Sequence, residues 1–157
     1  MANPIDYHLA DYRLAPAVIS YREGMLRADN FDDLYFSADN GFDETQHEFI
    51  DGNHIADRLS DAAHFTIAET GFGTGLNFLA LMKLLEDMRA KQQPTRQVDY
   101  ISFEARPLPP DIIAKSHQMF PAIEQQSKKL IAALPPYWPG LHRCNFLGGK
   151  LPRRMIV

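Results

Sequence analysis

Cysteine is nearly absent: Cys144 is the only one in 157 residues. No internal disulfide framework can form, nor a zinc site built on paired thiolates. That usage suits a reducing compartment, and the expected location is the cytoplasm. Long apolar runs are also missing, since no stretch approaches the ~20 residues that a membrane-spanning helix requires. Positions 1–14 have neither the basic start nor the apolar run of a secretory signal. There is no basic excess, because 20 acidic residues outnumber 16 Lys and Arg for a formal net charge of −4. That balance argues against an autonomous, non-specific nucleic-acid binder, but not against a nucleic-acid enzyme with a local basic patch. His8, His47, His54, His64, His117 and His142 are not spaced as metal ligands, so no metal is expected and they read as surface or satisfied residues. Repeats and low-complexity tracts are absent as well.

What is present reads as one soluble α/β unit. The runs 17–21 and 25–28 flank Glu23-Gly24 and predict a hairpin. An aromatic and acidic stretch, 31–37, leads to the turn-prone Asp39-Asn40-Gly41, and short helices are expected over 43–50 and 55–59. Residues 65–68 form a β-prone run that meets three glycines, Gly71, Gly73 and Gly75. From Leu76 the pattern becomes helical, with Leu76, Leu79, Met82, Leu85 and Met88 near one face and an end before Pro94. A second strand is expected over 98–103, then helices over 111–120 and 121–134. Segments 144–147 and 151–157 look like the start of a third strand. Strand, glycine loop, helix, strand, helix is a βαβα order, which implies a parallel sheet. Residues 1–60 are read as an extended, hairpin and short-helix segment packed on the domain, and 61–157 as the α/β domain itself.

The glycine loop lies between a strand and a helix, the context in which such a motif binds a ligand. Glycine permits the sharp turn and a close ligand approach, and the helix start offers unpaired N–H groups. Two acids sharpen the motif: Glu69 just before the loop and Glu104 at the end of the next strand. An acid in the second place accepts hydrogen bonds from ribose hydroxyls in nucleotide folds. Dinucleotide folds favour GxGxxG, but position 76 is Leu and the third glycine comes one residue early at Gly75. Glu69 also sits poorly beside a pyrophosphate and well beside an ammonium and a sulfonium. S-adenosylmethionine is therefore favoured over NAD or FAD, with a dinucleotide-binding oxidoreductase fragment as the alternative.

The segment Glu69-Thr70-Gly71-Phe72-Gly73-Thr74-Gly75-Leu76-Asn77-Phe78-Leu79 resembles the methyltransferase domain of the bacterial bifunctional tRNA 5-methylaminomethyl-2-thiouridine biosynthesis enzymes (MnmC type). The likeness extends to Phe31-Asp32-Asp33-Leu34-Tyr35-Phe36-Ser37, to Asp39-Asn40-Gly41 with Glu44-Thr45, to Ile101-Ser102-Phe103-Glu104 with Pro107-Leu108, and to Pro139-Gly140-Leu141-His142-Arg143. The resemblance implies a class I S-adenosylmethionine-dependent methyltransferase (Rossmann-like) fold, of which 61–157 would be the first half. It implies methyl transfer to the aminomethyl nitrogen of 5-aminomethyl-2-thiouridine in tRNA. The implied cofactor residues are Glu69, Gly71, Phe72, Gly73, Thr74, Gly75, Asn77 and Glu104. FAD belongs to a separate oxidoreductase domain of the bifunctional relatives, one not expected in this sequence. Only the first two strands and part of a third are matched, so the expectation is an incomplete, C-terminally truncated fold that does not turn over alone. Its first strand should then have an open edge. Among the residues present, Asp33 and Tyr35 are the catalytic candidates, beside Asp32 and Phe36, for capping the methyl site or taking a proton. A non-catalytic remnant whose open edge pairs with a partner chain is the third reading.

Overall fold

The computed structural model describes residues 14–23, 25–37, 40–61, 63–93, 97–135, 140–146 and 153–156. Strands β1 (Ile19–Arg22) and β2 (Met25–Ala28) pair antiparallel with Arg22 opposite Met25, the expected hairpin register. A two-residue strand β3 (Asp33–Leu34) completes a small sheet of order β1-β2-β3. Helix α1 (Gly41–Thr45) runs directly into a π-helical stretch, Gln46–Asp51, and α2 (Ile55–Asp61) follows.

The larger sheet begins at β4 (His64–Thr70), longer than the apolar run alone suggested. It lies parallel to β5 (Gln97–Phe103), with Glu69 opposite Ser102. Helix α3 (Leu76–Ala90) makes the crossover. Its Leu76, Leu79, Met82, Leu85 and Met88 are all buried, as the periodicity required. Alternation along β5 buries Val98, Tyr100 and Ser102 on one face. Phe78 of α3 stacks edge-on against Tyr100, with ring centroids 5.1 Å apart, and against Phe146 at 4.8 Å. These contacts seat the helix on the sheet.

Helix α4 (Pro110–His117) and α5 (Glu124–Ala133) follow, joined through a 3₁₀ turn at Pro121–Ile123. Proline thus opens the short 3₁₀ turn rather than the α-helix proper. The chain's last two strands depart from the expectation of one continuing third strand. They are separate, β6 (Arg143–Phe146) and β7 (Arg153–Ile156), and antiparallel to each other. The later one, β7, takes the place beside β5 in parallel, so the sheet order is β4-β5-β7-β6. Strand β5 needs a ladder partner on that side, and backbone pairing supplies one whatever the side chains are. Among the described residues β4 has a single ladder neighbour, as the open-edge reading required.

Candidate functional site

Thr70 ends β4 at the same level as Phe103 ends β5, and the chain leaves the sheet there through the glycine loop. The Gly71 N–H donates to the Phe103 carbonyl at 2.7 Å, and the Gly75 N–H to the Phe72 carbonyl at 2.8 Å. All three glycines have positive φ, +87° at Gly71, +55° at Gly73 and +79° at Gly75, which an L side chain adopts only at a cost. A Cβ on Gly71 would meet nothing within 4 Å, so this face of the loop is open. Gly75 is different. It caps α3, and a Cβ there would strike the ring of Phe72 at 2.7 Å.

In front of the loop lies a cavity of about 600 Å³. Its walls are Gly71, Phe72, Gly73, Thr74 and Asn77 on one side, Glu104 and Arg106 at the end of β5, and Asp33, Leu34 and Tyr35 from the small sheet. Glu104 is bound at both oxygens. The Gly73 N–H donates to Oε2 at 3.0 Å and the Arg106 N–H to Oε1 at 2.7 Å. The ring of Tyr35 stands 3.4 Å from the position of a Cβ on Gly73, so glycine there lets a side chain from the small sheet approach the loop. Burial, with the Glu104 carboxylate adding to it, pushes the Tyr35 phenol above its ordinary range. Phe31 and Phe103, each about two-thirds exposed (68% and 65%), stand at the lip, and the Arg106 guanidinium lies 5.5 Å over the Phe31 ring.

The expected residues divide into three groups. Gly71, Phe72, Gly73, Thr74, Asn77, Glu104, Asp33 and Tyr35 all face the cavity. Glu69 and Gly75 lie behind it. Glu69 accepts from Asn77 Nδ2 at 3.1 Å and from Ser102 Oγ at 2.8 Å, and it lines a second hollow beside β4 with Arg58 and Asn53. Burial holds its carboxyl above the usual carboxylate range. The nearby Tyr100 hydroxyl and the Ser102 and Asn77 hydrogen bonds pull the other way, and Glu104 adds a smaller push upward. The Tyr100 hydroxyl approaches this carboxylate without reaching bonding geometry. Two further candidates leave the set. Phe36 is buried edge-on against Phe120 with ring centroids 5.4 Å apart, and Asp32 pairs with Arg27.

Ser102 was missed by motif reading, although its inward place after Val98 and Tyr100 in the strand alternation was a usable signal. His117 was read as surface or satisfied; it is satisfied, and buried. Its Nε2–H donates to the Thr74 carbonyl at 2.8 Å, and its Nδ1 accepts from Ser127 Oγ at 2.7 Å. A carbonyl can only accept, which assigns that tautomer. Among the described residues no group of three His, Cys, Asp or Glu side chains converges as a metal site, and no helix is long and apolar enough to cross a membrane.

No family profile matches the chain. A curated relative does: over 140 residues, 86% of this chain, it is 38% identical to the tRNA 5-methylaminomethyl-2-thiouridine biosynthesis bifunctional protein MnmC of Aliivibrio fischeri. The chain resembles MnmC. That match spans 21% of the Aliivibrio protein's own length. The crystal structure of MNMC2 from Aquifex aeolicus superposes with a TM-score of 0.58, covering 90% of this chain and 42% of that one. At 19% identity this second likeness concerns the fold, and it agrees with the Rossmann-like α/β class that the resemblance implied. The MnmC-type resemblance read from the loop motif therefore extends across most of the chain.

Proposed function

We propose that the cavity holds S-adenosylmethionine and that this chain carries the nucleotide-binding part of a methyltransferase acting on the wobble uridine of tRNA. The observation that carries the reading is Glu104. Its carboxylate stands at the end of β5, on the amide of Gly73, at the floor of a 600 Å³ cavity. A carboxylate so placed can exchange the loop amide for two ribose hydroxyls. The open face of Gly71 leaves room for the ligand's backbone side, and the α3 N-terminus stands behind the loop. Asn77, which faces the cavity, is held in place by the Glu69 carboxylate behind it. The donor set fits this group.

When bound, S-adenosylmethionine supplies an electrophilic methyl on sulfur. The protein's part is to orient it, exclude water and take a proton from the attacking amine. An alkylammonium with a pKa near roughly 10 must be deprotonated before it can attack. Asp33 faces the cavity and is the proposed recipient of that proton. Tyr35, its phenol kept protonated, closes the wall beside Gly73. The proposed product is 5-methylaminomethyl-2-thiouridine. The proposed source of the amine is an FAD-dependent oxidoreductase, in the same polypeptide or another, and the proposed setting is the cytoplasm.

Calorimetric titration with S-adenosylhomocysteine tests this. Saturable binding that Gly73→Val abolishes is expected, because a valine there meets Tyr35 at the cavity wall. Binding of NADH in place of S-adenosylhomocysteine would overturn the reading in favour of a dinucleotide site.

A further inference from the structure

The glycine loop is held at four points. Three of them are backbone or acidic: Gly71 on Phe103, Gly75 on Phe72 and Gly73 on Glu104. The fourth comes from far along the chain. His117 ends α4, Ser127 lies on α5, and together they reach the carbonyl of Thr74, 43 residues before the histidine. All three residues are buried, each at 8% exposure or less. Helix α5 is also tied to α3 by Gln126 and Lys129, which both bind the Glu86 carboxylate, at 2.5 and 2.9 Å. Leu130 of the same helix face comes within 3.0 Å of the Cβ position on Gly75. Helix α5 therefore carries two buried polar side chains, Gln126 turned to α3 and Ser127 turned to His117, where an apolar face would have sufficed for packing.

We infer that His117, oriented by Ser127, is a positioning residue that sets the Thr74 peptide and through it the ligand-ready conformation of the glycine loop. The inference rests on the cofactor reading above for its consequence in binding, but the loop geometry stands apart from it. Thr74 lies between Gly73 and Gly75, two residues whose backbones have unusual freedom. Without a donor the buried carbonyl of Thr74 would be unsatisfied, and its peptide could turn to seek one. That rotation would reorient the N–H groups facing the cavity. Ser127 donates to Nδ1 and so keeps the proton on Nε2, where Thr74 needs it.

The test compares His117→Ala, His117→Gln and Ser127→Ala with Ile50→Val, a core change outside the loop at a residue only 2% exposed. S-adenosylhomocysteine is titrated into each folded protein, and amide exchange is followed at Gly73, Gly75 and Leu76. His117→Ala is expected to weaken binding by about tenfold and to speed loop exchange, the cost of one buried acceptor left unpaired. In His117→Gln the side-chain Nε2 can replace the lost donor, so both readouts should return to within about threefold of the parent. Ser127→Ala should fall between them, and Ile50→Val should move global stability alone. Loop exchange that is unchanged in folded His117→Ala, or no recovery in His117→Gln, overturns the inference. If the parent fails to bind S-adenosylhomocysteine while loop exchange still responds to His117→Ala, the cofactor reading fails and the positioning role stands.

Discussion

Replacing each loop glycine by alanine separates backbone strain from packing. At Gly75, φ is +79°, and an L residue in that region costs roughly 1–2 kcal/mol. Its new Cβ would also stand 2.7 and 2.9 Å from Phe72 ring carbons and 3.0 Å from Leu130 Cδ2. Both neighbours are buried, Leu130 completely, so neither can yield without disturbing the core. Overpacking of this kind adds roughly 1–3 kcal/mol. The sum is about 2–5 kcal/mol, a large part of the ~5–15 kcal/mol that stabilises a typical domain. For a chain of this size each kcal/mol lowers Tm by roughly 2–4 °C, so Gly75→Ala should lose about 4–20 °C. Gly71→Ala, with φ of +87° and nothing within 4 Å, carries the backbone cost alone. Gly73→Ala, whose Cβ meets Tyr35 at an ordinary 3.4 Å, should resemble Gly71→Ala in stability. The order in ligand affinity should invert, since Gly71 and Gly73 face the cavity and Gly75 does not. Thermal unfolding by circular dichroism, paired with S-adenosylhomocysteine titration, reads both quantities. A Gly71→Ala protein as destabilised as Gly75→Ala would refute the steric argument, because only the backbone term is shared.

Other expectations follow from single groups. Tyr100→Phe removes a buried hydroxyl that lacks a partner, so its urea midpoint should stay level or rise, and a loss above ~2 kcal/mol would contradict that account. Burial lowers the pKa of His117 below its ordinary 6.5, the Thr74 hydrogen bond opposing in part. The unfolded chain then binds this proton first, and stability present above pH 6.5 is lost as pH falls through the folded value. His117→Gln should lack that acid limb, and parallel curves for the two proteins would sink the idea. Glu69 has the opposite sign. Its raised pKa favours the fold below 4.5, an advantage lost as pH rises through the folded value. Thr66 is exposed on the open strand β4, so Thr66→Lys should reduce self-association in sedimentation at high concentration. Identical sedimentation of both proteins would place any association elsewhere.

Much of this was legible along the chain because the causes are local. Three glycines between a β-prone run and an apolar helical stripe require a strand, a turn and a helix whatever surrounds them, since φ restrictions and side-chain periodicity act within a few residues. The hairpin, the burial of Leu76, Leu79, Met82, Leu85 and Met88, and the place of Glu104 just after β5 follow from the same short-range rules. Other features depended on which faces meet, and only the folded chain decides that. Asp33 and Tyr35 reach the loop because the small sheet packs there, while Phe36, the next residue, turns to Phe120. Glu69 is held off the cavity by Ser102 across the parallel register, and His117 finds Thr74 because α4 and α5 close behind the loop. The order β4-β5-β7-β6 was likewise beyond the sequence pattern, for strand neighbours are chosen by the ladder left vacant and by the core that closes over it. Local sterics determine the elements, and the burial of polar groups that must find partners determines how the elements meet.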